Sequence, residues 1–145
     1  MPHHSLPRYA VWAPLLLRLA LGVIFFAHGS QKLLGWFGGS GMSGTYQMIS
    51  SFGLPPAALW TFLLIFAEFG GGILFILGFL TRFAALMNII NMSVAIALVH
   101  ARNGFFLSNG GMEYNIALIA MAVALLLTGG GALSLDRKLK LPSWL

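Results

Sequence analysis

This chain of 145 residues has no cysteine, only three acidic residues, and charged residues making up 8% of the total. The missing cysteines exclude disulfide exchange, thiolate metal sites, iron–sulfur ligation and cysteine nucleophiles. The scarcity of charge excludes a soluble domain, in which about a quarter of the residues are charged. What fills the space is apolar: 59% hydrophobic residues and a mean hydropathy of +0.89. A net charge of +5 would suit a nucleic-acid binder, but the cations are scattered rather than gathered into a patch that tracks phosphates. No nucleic-acid partner is expected; the lipid bilayer is.

The length fits one domain over residues 1–145. Four apolar segments stand out, at 10–27, 57–80, 83–100 and 112–128, each near the roughly 20 residues that cross a bilayer as a helix. Arg18 interrupts the first run and no small-residue cleavage pattern follows it, so it reads as a span rather than a signal peptide. The expected fold class is therefore an all-α integral membrane protein, a four-transmembrane-helix bundle. Between spans one and two, Tyr46, Ile49 and Phe52 recur at helical spacing before Gly53 and Pro55-Pro56, which predicts a short interfacial or re-entrant helix.

Four spans put both termini on one side. That side carries Arg8, Arg82, Arg137, Lys138 and Lys140, against Lys32 and Arg102 on the other, so the positive-inside rule predicts cytoplasmic N- and C-termini. Trp12, Trp36, Trp60 and Trp144 fall near span ends, the depth that indole rings favour.

Two charges lie within spans, Arg18 in the first and Glu68 in the second. One reading is a structural ion pair between Arg18 and Glu68 that spares each charge from lipid; the other gives Glu68 proton handling or a place on a cavity wall. Gly70-Gly71-Gly72 after it suits close helix packing, and Asn88 and Asn91 share a face of the third span. The stripe Ala117, Ala120 and Ala124 on the fourth span is read as a bundle seam.

At the outer face His28, Gln31 and Lys32 leave the first span, His100 and Arg102 leave the third, and Glu113 and Tyr114 enter the fourth, with Trp36 and Phe105 among them. Flat apolar walls with a few polar groups suit a small ligand. A quinone head group fits: its carbonyls need hydrogen-bond donors and its reduction needs protons, which His, Lys and Glu supply. The catalytic candidates are His28, Glu68 and Glu113; the ligand-binding candidates are Gln31, Lys32, Trp36, His100, Phe105 and Tyr114. No metal, flavin or haem motif is evident, so quinone is the one cofactor candidate.

The stretch Arg18-Leu-Ala-Leu-Gly22, then His28-Gly29-Ser30-Gln31-Lys32 and Gly35-Trp36-Phe37-Gly38-Gly39, resembles the opening of the DoxX family of small bacterial membrane proteins. Glu68 with its glycines, Gly78-Phe79-Leu80-Thr81-Arg82, His100, Gly111-Met112-Glu113-Tyr114 and Ser134-Leu135-Asp136 follow in order, so the resemblance runs from Leu15 to Asp136. It implies four helices in the bacterial inner membrane and a link to thiosulfate:quinone oxidoreductase, whose small subunit gives the family its name. The leading expectation is a membrane subunit that binds quinone and passes electrons with a redox partner protein. Alternatives are a non-enzymatic scaffold for redox-stress enzymes and a small proton-coupled transporter using Glu68, with a homodimer as a further candidate assembly.

Overall fold

The computed structural model describes residues 8–142, which leaves His3, His4 and Trp144 outside. Among these residues the chain forms helices and no strand. Helix α1 is Trp12–Leu34, α2 is Gly41–Ser51, α3 is Ala57–Leu77, α4 is Thr81–Asn103, α5 is Glu113–Thr128 and α6 is Leu135–Lys138. Helices α1, α3 and α4 are long and apolar enough to cross a membrane. At 16 residues, α5 reaches about 24 Å against a hydrocarbon core of about 30 Å. The chain is an all-α membrane protein built as a helical bundle.

The first span continues to Leu34 rather than ending at Ala27, so His28, Gln31 and Lys32 sit inside α1. Gly29 and Ser30 look like the start of a loop, yet both are buried, and the Ser30 hydroxyl donates to the Phe26 carbonyl one turn back. The helix stops at Gly35, whose φ of 72° only glycine adopts without strain.

Glycines set the contact between α1 and the antiparallel α3. A Cβ on Gly29 would overlap the backbone nitrogen of Phe69, one on Gly72 would overlap that of Phe26, and one on Gly22 would come within 3.1 Å of the Gly72 carbonyl. Gly71 faces α4 instead, where its Cβ would meet the Asn88 amide. The predicted close packing of these glycines is what the fold uses. Leu21, Phe75, Ala85, Ala122 and Leu125 are fully buried at the centre.

The expected alanine seam on α5 is a correction. Ala117 and Ala120 are exposed, and the buried stripe is Asn115, Leu118, Ala122 and Leu125. Both stripes have helical spacing; the larger side chains fill the core, and lipid accepts the alanines at no cost in hydration.

One end of the bundle, where α1 and α4 begin and α3 and α5 finish, is closed by the C-terminal segment. Arg18 lies buried at its centre and, among the described residues, forms no salt bridge. Its Nε donates to the Gly130 carbonyl at 3.0 Å, Nη1 to Phe75 and Ile76 at 3.1 and 2.8 Å, and Nη2 to Ala132 and Leu133 at 3.1 and 2.9 Å. All five guanidinium donors are thereby used. Phe75 and Ile76 end α3, so the cation also meets the negative end of a helix dipole. The expected ion pair between Arg18 and Glu68 is not formed. The antiparallel register of α1 and α3 sets Arg18 against the last turn of α3 and leaves Glu68 more than a turn further along.

Candidate functional site

Glu68 is paired with Lys32: Nζ stands 2.5 Å from Oε2, the carboxylate side chain is 5% exposed and the lysine 22%. The Asn91 amide from α4 donates to Oε1 at 3.4 Å, so three helices meet at one carboxylate. Lys32 is fourteen residues beyond Arg18 on α1, about 21 Å along the axis. The two polar centres are separate.

Glu68 lies within a π-type turn, Phe66–Gly70, inside the otherwise α-helical α3. Such a turn holds one residue more than a regular turn and shifts the faces of the helix on either side of it; π turns recur at functional sites. A second π-type turn, Ile96–His100, lies in α4.

Beyond Lys32 the chain folds back. Gly39 packs directly on Gln31, and a Cβ there would overlap the Gln31 backbone. The Gln31 amide donates to the Phe37 carbonyl at 3.3 Å, and the Thr45 hydroxyl of α2 lies 3.1 Å from the Lys32 carbonyl. The expected short helix is therefore present, held by Thr45 and Ile49 on its buried face, while Tyr46 faces outward. Between α1 and α2 is an open cavity of about 190 Å³ lined by Gln31, Lys32, Gly39, Ser40, Thr45 and Met48.

The predicted outer cluster divides. Lys32, Gln31 and Glu68 come together, Gln31 and Lys32 at the cavity and Glu68 behind Lys32. His28 is exposed on α1 outside the cavity lining, and Trp36 is exposed in the glycine-rich turn. His100 lies in the last turns of α4, Phe105 in the connection to α5, and Glu113 and Tyr114 in the first turn of α5. There the His100 Nδ1 lies 2.7 Å from the Gly110 carbonyl, the Leu107 N–H donates to Glu113 Oε1 at 2.6 Å, and the Glu113 N–H donates to the Phe105 carbonyl at 2.9 Å. Tyr114 is exposed. Among the described residues no group of three or more His, Asp or Glu could hold a metal ion.

Sequence reasoning missed Asn91 as the second partner of Glu68, and Gly39, Ser40, Thr45 and Met48 as cavity walls. The signal that would have matched Lys32 with Glu68 is the glycines themselves: with Gly29 set against Phe69 and Gly72 against Phe26, the antiparallel register brings the two charges within a turn of each other.

A membrane-embedded helical bundle with a partly buried Lys–Glu pair beside a small open cavity is the class that fold and site define. The DoxX family profile matches residues 13–101, and the chain belongs to that family. It is 34% identical over 122 residues to the Bacillus subtilis (strain 168) protein named "Putative oxidoreductase CatD", covering 84% of this chain and 83% of the relative. It is 30% identical over 125 residues to "Inner membrane protein YqjF" of Escherichia coli (strain K12), covering 86% and 90%. A second protein of that strain, "Inner membrane protein YphA", is 30% identical over 129 residues, covering 86% and 88%. No solved structure matches the chain.

Proposed function

We propose that this protein is a subunit of a redox system in the bacterial inner membrane, with its termini in the cytoplasm and four helices across the bilayer. On this reading it binds the head group of a quinone or similar small redox ligand beside Lys32 at the outer end. The observation that carries the reading is the Lys32–Glu68 pair, buried on the Glu68 side and open to the cavity on the Lys32 side. The names of the relatives, one "Putative oxidoreductase" and two "Inner membrane protein", support the class and the location.

The cavity, at about 190 Å³, is smaller than the roughly 300–1,000 Å³ of pockets that enclose a whole small molecule. It suits a head group whose tail stays in lipid. An ammonium has three donors; Lys32 spends one on Glu68 and can offer another to a carbonyl oxygen of the ligand. That bond strengthens as the oxygen gains charge on reduction, so the interaction favours the reduced side of the reaction. Lys32 can give a proton to that oxygen, and Glu68, oriented by Asn91, stabilises the ammonium again when a proton returns. The two electrons of a quinone-to-quinol reduction come from a redox group on a partner protein, and the two protons pass through the Lys32–Glu68 pair or directly from the outer solution.

The test is organic extraction of the purified protein followed by titration with a short-chain quinone, read by tryptophan fluorescence. Quinone in the extract and saturable quenching that Lys32→Met abolishes are expected. An extract free of quinone together with no saturable quenching would refute the reading.

A further inference from the structure

We propose that the C-terminal segment beyond α5 is a binding surface for the head groups of anionic phospholipids. The segment is held firmly at the closed end of the bundle. The Ala132 N–H donates to the Val11 carbonyl and the Asp136 N–H to the Gly78 carbonyl, both at 2.9 Å. The Asp136 carboxylate accepts from the Leu80 N–H at 2.6 Å, the Thr81 N–H at 2.9 Å and the Thr81 hydroxyl at 2.6 Å. Arg18 holds three of the segment's carbonyls from beneath.

What this fixed segment leaves outward is basic and apolar together. Arg137, Lys138 and Lys140 are exposed, and so are Leu133 and Leu139 at 77% and 56%. The chain has three acidic side chains. Glu68 lies midway along α3 and is taken up by Lys32, Glu113 begins α5 at the opposite end of the bundle, and Asp136 is turned inward onto Leu80 and Thr81. No carboxylate side chain is left to neutralise the three cations. The segment lies at the ends of the spanning helices, the level of lipid phosphates, and Leu139 between two lysines can enter the acyl boundary while its neighbours stay in the head-group layer. A zwitterionic lipid brings its own cation, so the fit is to a head group of net negative charge, with each lysine or arginine contributing roughly fivefold and three on the order of a hundredfold in local preference.

The experiment reconstitutes the full chain in nanodiscs of mixed phosphatidylglycerol and phosphatidylcholine and counts retained lipids by native mass spectrometry. The wild type should retain phosphatidylglycerol over phosphatidylcholine, and the preference should fall as salt is raised. The variant carrying Arg137→Gln, Lys138→Gln and Lys140→Gln should lose the preference while keeping its helical circular dichroism. A preference that survives all three changes, or that is indifferent to salt, would overturn the proposal. So would complete competition by free glycerol phosphate, which would reassign the surface to a soluble phosphate.

Discussion

Replacing Arg18 by methionine removes five hydrogen bonds at once and leaves their carbonyl acceptors inside the bundle. The cost can be worked bond by bond. The Phe75 carbonyl keeps a second donor, the Gly78 N–H at 3.1 Å, so it is not orphaned. Gly130, Ala132, Ile76 and Leu133 remain, the first two in buried bonds and the others in partly buried ones. At about 1–3 kcal/mol for each unsatisfied buried group and less for the accessible ones, the loss is about 4–6 kcal/mol. That is comparable with the whole stability of many domains. Arg18→Lys keeps the charge but not the fork of donors, and about half of that loss is expected. Denaturant or detergent unfolding followed by circular dichroism measures both. A loss below about 1 kcal/mol for Arg18→Met would refute the view that this guanidinium holds the closed end together. Combining Arg18→Met with Glu68→Gln provides the control: with no shared partner and about 11 Å along α3 between Glu68 and the carbonyls that Arg18 holds, the two losses should add within about 0.5 kcal/mol.

Lys32→Met strands the buried Glu68 carboxylate and should cost about 3 kcal/mol, whereas the double variant with Glu68→Gln should recover much of it, because no unpaired charge then remains; unfolding of the three proteins decides. Gly29→Ala places a methyl on the backbone of Phe69 and should destabilise by at least about 2 kcal/mol. Gly53→Ala has open space around it but a φ of 69°, so only about 1 kcal/mol is expected; equal losses for the two glycines would refute the close approach of α1 and α3. Asp136→Ala removes three bonds to Leu80 and Thr81, and faster amide hydrogen exchange across residues 129–141 should follow, while exchange in α2 stays unchanged.

The three long spans were legible because hydropathy is a property of composition, which needs no knowledge of partners. The short helix before Pro55 was legible for a similar reason: Ile49 and its neighbours repeat at helical spacing whatever they touch. The ends of α1 were not. Gly29-Ser30-Gln31-Lys32 has the composition of a loop, and only the contact of Gly29 with Phe69 and the bond from Ser30 to Phe26 explain why the helix runs on. The partner of Arg18 was beyond reach because it is a set of backbone carbonyls, which every residue possesses and no residue type announces. The π turn at Glu68 has no sequence signature either. It was therefore natural to match the two intramembrane charges of opposite sign, and the register set by the glycines is what separates them.

The buried Arg18 and the partly buried Lys32 differ in what they leave available. Arg18 has filled all five donors with carbonyls, so anything that bound there would first have to break a structural bond. Its charge is fixed as well, since a guanidinium does not give up its proton in proteins. Lys32 makes one bond to Glu68, faces an open cavity, and belongs to a type of group whose proton can move. On the proposed reading, a ligand added there leaves the bonds that hold the fold in place. On that reading the Lys32 end binds the ligand while the Arg18 end holds the helices still. The double variant Lys32→Met with Glu68→Gln should then alter ligand binding more than helix packing, and substitutions at Arg18 the reverse.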